Sequence, residues 1–264
     1  MRVLVSLLGL LVGAGCGQEI DHPALVPGCD PATTKCSMGP LQGGTGDGNA
    51  AGAGSSDDAV GSISGRVLGL TDDFFEQGVG LSANAEVSAD GRGGSRVKGT
   101  YDGSKFELDD VLKTSVNWFL TTPAADTGFL PTLVPSDTLR AKADELVVAV
   151  APTLPVEGIL QSLGTARSDA RAQIVVRVVD GRGRSVTGVT SDFTAETTAY
   201  RTAGVWLAND DGTDDSGLIF LGNAPVGSAL SRASINLRGA ATGRVDVEIM
   251  AGATTLVTAV VVPK

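Results

Sequence analysis

Histidine is almost absent from this 264-residue chain, in which His22 is the one example. This scarcity excludes several classes of enzymatic reaction. Zinc peptidases hold their metal with histidine and glutamate, and Ser-His-Asp or Cys-His arrangements need a histidine as general base. The motifs G-x-S-x-G and G-x-x-x-x-G-K-[ST] do not occur either. A pair of carboxylates suffices for glycoside hydrolysis, but no pattern separates a catalytic acid from a solvated one here. We therefore predict that the protein is not an enzyme and uses no cofactor.

Long hydrophobic runs are also lacking, except at the N-terminus. Residues 1–17 read MRVLVSLLGLLVGAGCG, which places one cation at Arg2, an apolar run over 3–12, and small residues directly before Cys16. About ten apolar residues are too few to cross ~30 Å of hydrocarbon as a helix. The pattern is typical of an export signal that is removed after translocation. We predict that this signal peptide spans residues 1–15.

Small residues followed by Cys16 resemble the lipobox of bacterial lipoproteins. In that family the signal is cut before a cysteine that already carries diacylglycerol. The resemblance implies that Cys16 becomes the lipidated first residue and supplies the membrane contact. Gly17, rather than aspartate, follows it, which by analogy with Gram-negative sorting implies the outer membrane. The alternative is a plain secretory signal cut near Gly15 or Gly17, which would release a secreted protein.

Cysteine is scarce beyond Cys16, with only Cys29 and Cys36 remaining. They stand in PGCDPATTKC, where proline and aspartate favour a turn that brings the two sulfurs together. An oxidising compartment outside the cytoplasm would allow the pair to close a small loop. We predict a Cys29–Cys36 disulfide rather than a metal site, because the segment offers too few ligands.

Basic residues are outnumbered by acidic ones, 20 to 30, which gives a formal net charge of −10. A negative field of this size repels nucleic acid phosphates and anionic lipid surfaces, so we expect no nucleic acid partner. Residues 39–58, GPLQGGTGDGNAAGAGSSDD, contain almost nothing that can enter a core. Glycine- and serine-rich chain behaves as a flexible coil with a reach of about 25 Å over this length. We therefore predict a tether over residues 16–58.

Aromatic residues make up only 4% of the chain, whereas there are 36 glycines. Together with abundant valine and threonine, this composition favours short strands and turns over helices. In the first predicted unit, residues 59–164, strands are expected over 62–70, 79–89 and 95–101, and in a segment that holds Phe106 and Leu108. A further strand over 115–122, SVNWFLTT, places Trp118 in the core.

The region 128–164 is harder to assign. A β-branched cluster over 146–151 favours a strand there, against a helix capped at Ser136. Apolar residues at helical spacing over 155–164 predict a short helix or a linker turn that stops at Gly164. We place a domain boundary at this point.

The second predicted unit, residues 165–264, contains strand-like segments of similar length separated by glycine. They include AQIVVRVVDGRGRSVTGV, LIFLGNAPVG, SRASINLRG, GRVDVEIMAG and TTLVTAVVVP. SDFTAETTAYRTAGVWLA supplies one or two further strands. Regular short strands with turn signals between them are typical of an all-β sandwich. The predicted fold is all-β, with two tandem Greek-key β-sandwiches after the signal peptide and tether.

Two segments of the second unit resemble a known class of domain. The pattern V-x-D-x-x-G-x-x-V-x-G-V over 178–189, with GLIFLGNAPVG over 217–227, is similar to the carboxypeptidase regulatory-like, or transthyretin-like, modules of secreted bacterial proteins. Bacterial Ig-like repeats have a similar sequence pattern. SISGRV and DGSKFELDDV in the first unit resemble it more weakly. The resemblance implies a Greek-key sandwich that serves stability, spacing or binding rather than catalysis.

One loop concentrates oxygen ligands in the way that a calcium site does. These candidates are Asn209, Asp210, Asp211, Asp214 and Asp215. The spacing and closing glutamate of an EF-hand are absent, so a solvated acidic turn is the favoured interpretation over calcium binding.

These observations predict a non-catalytic cell-envelope lipoprotein. Its two β-sandwich modules would have a structural role or bind another envelope protein or a glycan. The alternative is a secreted, adhesin-like module that binds carbohydrate or calcium. An exposed row of aromatic side chains would support glycan binding, whereas burial of Trp118, Tyr200 and Trp206 would weaken it.

Overall fold

The chain folds mainly into β-strands. The structure is a computed structural model that describes residues 60–90, 96–112, 116–136, 146–208 and 211–264. The N-terminal half of these residues contains β1 (Val60–Leu70), β2 (Gly78–Gly80), β3 (Ala85–Asp90), β4 (Arg96–Tyr101), β5 (Phe106–Leu112), β6 (Trp118–Pro123), β7 (Thr132–Pro135), β8 (Leu146–Val150) and the helix α1 (Thr153–Ser162).

The C-terminal half continues with strands alone. They are β9 (Ala172–Val179), β10 (Val189–Ser191), β11 (Thr197–Thr202), β12 (Val205–Leu207), β13 (Leu218–Ala224), β14 (Ser231–Gly239), β15 (Ala241–Ile249), β16 (Thr254–Val260) and β17 (Val262–Pro263). The predicted all-β sandwich fold is therefore confirmed. Among the described residues, no helix has both the length and the hydrophobicity needed to cross a membrane.

A nine-stranded sheet runs through both halves in the order β12-β11-β13-β9-β16-β7-β6-β3-β4. Its middle strand, β16, pairs in parallel with β9 on one side and β7 on the other, so that Thr254 lies beside both Gln173 and Thr132. The other neighbours in this sheet are antiparallel. The predicted boundary near residue 164 therefore falls between strands that share a sheet.

Two smaller sheets cover opposite faces of this central sheet. In the first of these sheets, β1 pairs antiparallel with β2 and β5 along different parts of its length, and it pairs in parallel with β8. The second sheet has the strand order β10-β14-β15-β17. Side chains on a strand alternate between faces, so Phe119 and Leu120 point in opposite directions. Phe119 packs into the core beneath β1, β5 and β8, whereas Leu120 joins Leu133 on the face that carries β14 and β15. The N-terminal half thus has a core beneath β1, β5 and β8, the C-terminal half has one beneath β14 and β15, and a third core contains residues of both halves.

Coverage of both faces explains why β9 is buried along its whole length. Ile174 and Val176 face the core beneath β14 and β15, whereas Val175 faces α1 and the end of β8. A strand buried on both faces reads as a nearly continuous apolar run, as AQIVVRVV does. By contrast, β14 has one solvated face and buries only alternate residues, which include Ile235 and Leu237.

Of the two structures predicted for 155–164, a short helix or a linker turn, the chain forms the helix, α1, which begins earlier, at Thr153. Val156, Ile159 and Leu160 are buried, and they pack against the central sheet at Phe220. Gly164 lies just beyond the end with a φ of 77°, a left-handed conformation that glycine adopts without strain. The strand predicted over 146–151 is confirmed as β8.

The single strand predicted over 79–89 was wrong. The segment forms β2 and β3, which belong to different sheets, and the amide of Leu81 donates to the carbonyl of Val67 at the crossing between them. Val79, expected on the buried face, is exposed. Leu81, Ala85 and Val87 are buried and alternate with exposed residues, so the period of two continues although the chain changes sheet.

Candidate functional site

The most elaborate polar site lies where the loop between β1 and β2, residues 71–77, docks onto the central sheet. We call this segment the docking loop. It is closed by its own contacts, since the Thr71 amide donates to the Gln77 carbonyl at 2.9 Å and the Glu76 amide donates to Asp72 Oδ1 at 3.0 Å. Phe75 is fully buried in the core that contains α1 and β13. The loop is therefore an ordered element that covers one face of the C-terminal half.

Arg201, on β11, is held by the docking loop. Its side chain is only 2% exposed, and its Nη1 donates to Asp73 Oδ2 at 3.0 Å. The guanidinium carbon lies 3.1 Å from the centroid of the Phe74 ring and 5.8 Å from that of Trp206. Trp206 Nε1 donates to the Asp73 carbonyl at 3.2 Å. Charge, stacking and hydrogen bonding thus fix this cation in one orientation.

Arg177, on β9, is the second buried cation, and its side chain is also 2% exposed. It donates from Nη2 to Glu76 Oε1, on a side chain that is 13% exposed. The Nε atoms of Arg177 and Arg201 have no hydrogen-bond partner. We call Asp73, Phe74, Glu76, Arg177, Arg201 and Trp206 the arginine cluster. Its charges are neutralised across the contact between the two halves.

The arginine cluster was not predicted from the sequence. Arg177 and Arg201 belong to segments that were predicted to be strands, AQIVVRVVDGRGRSVTGV and SDFTAETTAYRTAGVWLA, and nothing in those segments predicts a partner for either cation. A single arginine inside an apolar strand is a signal in principle, because a buried cation requires an anionic partner. The sequence does not reveal which of the 30 acidic residues supplies it.

A second polar network joins the segment after α1 to the central sheet. Gln173 Nε2 donates to Asn223 Oδ1 at 3.0 Å, and the Asn223 amide donates to Gln173 Oε1 at 2.9 Å. Asn223 Nδ2 also donates to the Ala166 carbonyl, and the Ser168 amide donates to Asn223 Oδ1. These contacts satisfy the buried amides and fasten the connection between the halves.

A shallow surface depression of about 290 Å³ lies on β3 and β4. Its lining includes Glu86 and Lys98, which form an ion pair with each other at 2.9 Å. Ligand pockets are usually enclosed and largely apolar, with a few polar groups that converge on the ligand. The open shape of this depression and its internal ion pair do not fit that description.

The acidic loop is used partly to build a turn. Asp214 Oδ1 accepts hydrogen bonds from the Ser216 amide at 2.9 Å and from Ser216 Oγ at 2.6 Å, whereas Asp211 and Asp215 are exposed. Within the ranges that the structure describes, no group of three or more histidine, cysteine, aspartate or glutamate residues is placed to hold a metal ion. Asn209 and Asp210 lie outside those ranges, so calcium binding by the complete loop stays the untested alternative to the favoured solvated turn.

Other predicted site residues also lie outside the described residues. These are Cys16, Cys29 and Cys36. Lipidation and the disulfide therefore stay predictions. Trp118, predicted to be a core residue, is buried, and so are Tyr200 and Trp206. Their burial weakens the carbohydrate-binding alternative, which needed them on an exposed face.

Several carboxyl groups have shifted pKa values with structural causes. Burial raises the pKa of Asp180, but hydrogen bonds from the Arg184 side chain and from the Arg182 and Arg184 amides outweigh it, so the pKa is lowered. Hydrogen bonds from Ser234 and Arg244 lower the pKa of Asp246. Both acids stabilise a turn or a strand pair.

Glu248, on β15, has the opposite behaviour. Burial raises its pKa, Arg232 opposes this shift, and the nearby Asp90 and Asp246 carboxylates add to it. A raised carboxyl pKa can belong to a general acid, but such a role also needs a pocket and a partner group. Glu248 is not part of the depression on β3 and β4.

No protein-family model matches this sequence, and no curated protein matches it significantly. Solved structures with detectable similarity include the shaft pilin spaA from Lactobacillus rhamnosus GG, at 9% identity over 77% of this chain and 98% of the pilin, with a TM-score of 0.24. The pilus backbone RrgB from Streptococcus pneumoniae has 9% identity over 76% and 64%, with a TM-score of 0.24. The TIE protein from Bacillus anthracis has 13% identity over 77% and 34%, with a TM-score of 0.21. Similarity this low carries no argument about function.

Proposed function

We propose that this protein is a non-catalytic scaffold of the cell envelope, anchored by a lipid on Cys16. The observation that carries the proposal is the nine-stranded sheet, which joins both sandwich cores through the pairing of β16 with β7 and β9. Main-chain hydrogen bonds across this junction would resist relative rotation of the two halves. A body of this kind suits holding a partner at a fixed orientation.

The use of polar side chains agrees with a structural role. Asp102, Asp180 and Asp214 each accept hydrogen bonds from the backbone of their own turn. Arg177 and Arg201 are buried in ion pairs rather than exposed to a ligand. The polar groups of these residues thus stabilise the fold, and the proposal needs none of them to act on a substrate.

The anchor and the cellular location rest on the sequence. The resemblance of the segment before Cys16 to a lipobox supports lipidation, and Gly17 supports the outer membrane. The predicted tether over 16–58 would separate the sandwiches from the membrane surface. Because Trp118, Tyr200 and Trp206 are buried, we propose an envelope protein as the partner in preference to a glycan.

Expression of the full chain in a Gram-negative host tests the anchor. Labelled palmitate and membrane fractionation are compared for the wild type, Cys16→Ala and the control Cys29→Ala. We expect the wild type and Cys29→Ala to be labelled and to enter the outer-membrane fraction, whereas Cys16→Ala is unlabelled and soluble. Label retained by Cys16→Ala, or wild-type protein in the cytosol with residues 1–15 intact, would contradict the proposal. Unlabelled wild type in the medium would support the secreted alternative.

A further inference from the structure

Two cations are buried on one face of the C-terminal half, and both are neutralised by the N-terminal half. Arg177 and Arg201 belong to strands of the central sheet, and their carboxylate partners, Glu76 and Asp73, both belong to the docking loop. The partners are separated by 101 and 128 positions along the chain. A single loop thus supplies both counter-charges.

Undocking this loop would have two coupled consequences. Arg177 and Arg201 would lose their counter-ions, and an unpaired buried charge destabilises more than an intact pair stabilises. Withdrawal of Phe75 would also open the apolar core that contains Leu218 and Phe220. The same movement of the loop breaks the ion pairs and withdraws Phe75. A partly undocked loop should therefore be less stable than the docked loop. The contact should therefore behave as closed or open, with few intermediate positions.

We propose that the docking loop is a conformational lock that holds the two sandwiches in one arrangement. Ion pairing makes closure depend on the charges of Asp73 and Glu76. Stacking of Arg201 on Phe74 and the hydrogen bond from Trp206 to the Asp73 carbonyl set the orientation of the closed loop. The lock deepens the proposed scaffold role and relies on it for a biological use, but its physical test does not involve the membrane.

The two ion pairs are not equivalent. Glu76 is mostly buried, whereas the Asp73 side chain is 43% exposed, so solvent screens the second pair more strongly. Loss of the Glu76 charge should therefore open the lock more than loss of the Asp73 charge. This ranking distinguishes a lock built on buried charge from a loop held by apolar packing alone.

The test uses the full chain with Cys16→Ala, so that the protein is soluble. Asp73→Asn and Glu76→Gln keep the side-chain shapes and remove the charges, and Glu86→Gln removes an acid from an exposed pair as a matched control. We expect the double variant Asp73→Asn/Glu76→Gln to lower the melting temperature by on the order of 10 °C, and the control to lower it by about 3 °C or less. Hydrogen exchange should become at least ~10-fold faster in β11, β12 and β13 while β14 and β15 keep their protection.

If removal of the charges prevents folding, a second pair of variants still tests the proposal. Glu76→Leu leaves Arg177 unpaired, whereas Glu76→Leu/Arg177→Met replaces the whole pair by apolar side chains. The paired replacement should melt well above Glu76→Leu alone. The lock is overturned if the paired replacement melts no higher, if Asp73→Asn/Glu76→Gln matches Glu86→Gln, or if protection falls equally in β14 and β15. Failure of lipidation at Cys16 would leave these results unaffected, so the two proposals fail separately.

Discussion

The carboxylate of Asp102 stabilises the turn between β4 and β5 by accepting three hydrogen bonds. Its Oδ1 accepts hydrogen bonds from Ser104 Oγ at 2.6 Å and from the amides of Ser104 and Lys105 at 2.8 and 3.0 Å. The hydrogen bond from the Ser104 side chain, followed by those from the two amides, lowers the pKa of Asp102 to about 2. Gly103 has a φ of 93°, which glycine adopts without strain. The ionised carboxylate is thus the form that the folded turn prefers.

This preference predicts a pH-dependent stabilisation. Because the folded pKa is below the unfolded value of ~3.9, the contribution is complete above about pH 4 and is lost as the pH falls towards 2. Asp102→Ala should therefore lower the urea midpoint at pH 7 and have little effect at pH 2. Urea unfolding across this range checks the expectation, with the exposed Asp215→Ala as control. An equal deficit at pH 7 and pH 2 would show that the carboxylate charge is not the cause.

Strand β1 depends on a glycine where two neighbouring strands approach it. Gly65 pairs with Phe106 on β5 and with Leu146 on β8. A Cβ at this position would lie 2.2 Å from the Leu146 carbonyl oxygen and 2.7 Å from the Phe106 ring. Real Cβ atoms do not approach a carbonyl oxygen so closely. A side chain here would push β8 away from β1.

We expect opposite effects from two glycine-to-alanine substitutions. Gly65→Ala should lower the free energy of unfolding by about 1–3 kcal/mol, because the added methyl group overlaps the β8 backbone. Gly158→Ala, in α1 with no atom within 4 Å of the added Cβ, should raise it by about 0.5–1 kcal/mol through helix propensity. Urea denaturation measures both. A neutral Gly65→Ala would mean that β8 pairs with β1 less closely than the structure has it.

The two sandwiches share main-chain hydrogen bonds through the central sheet. Cleavage of the chain between them should therefore not separate them. A protease site inserted between Asp169 and Ala170, in an exposed turn after α1, divides the chain near the predicted boundary. The pairing of β16 with β7 and the hydrogen bond from Arg201 to Asp73 of the docking loop each join a residue before the cut to a residue after it. We expect both fragments to elute together in size-exclusion chromatography in native buffer and to separate in urea. Separation in native buffer would indicate independent modules.

Sequence patterns alone were enough to predict many of the strands and the buried residues in several of them. Alternation in β14 and the continuous apolar run of β9 follow from how many faces each strand buries. Apolar spacing and Gly164 predicted a short helix or a linker turn where α1 lies. Burial of Trp118 also followed from its strand pattern. These features are local, because side-chain periodicity depends only on the geometry of the element itself.

Which strands are neighbours and which charges meet depends on the tertiary packing. The parallel pairing of β16 with β7 joins segments far apart in sequence, and a periodic pattern does not encode a strand's partner. For the same reason, the split of 79–89 into β2 and β3 left its alternation intact. Arg177 and Arg201 find Glu76 and Asp73 only because the docking loop reaches the face of the sheet that holds them. The periodicity of a strand's sequence indicates that one of its faces is buried, whereas the tertiary packing determines which residues cover that face.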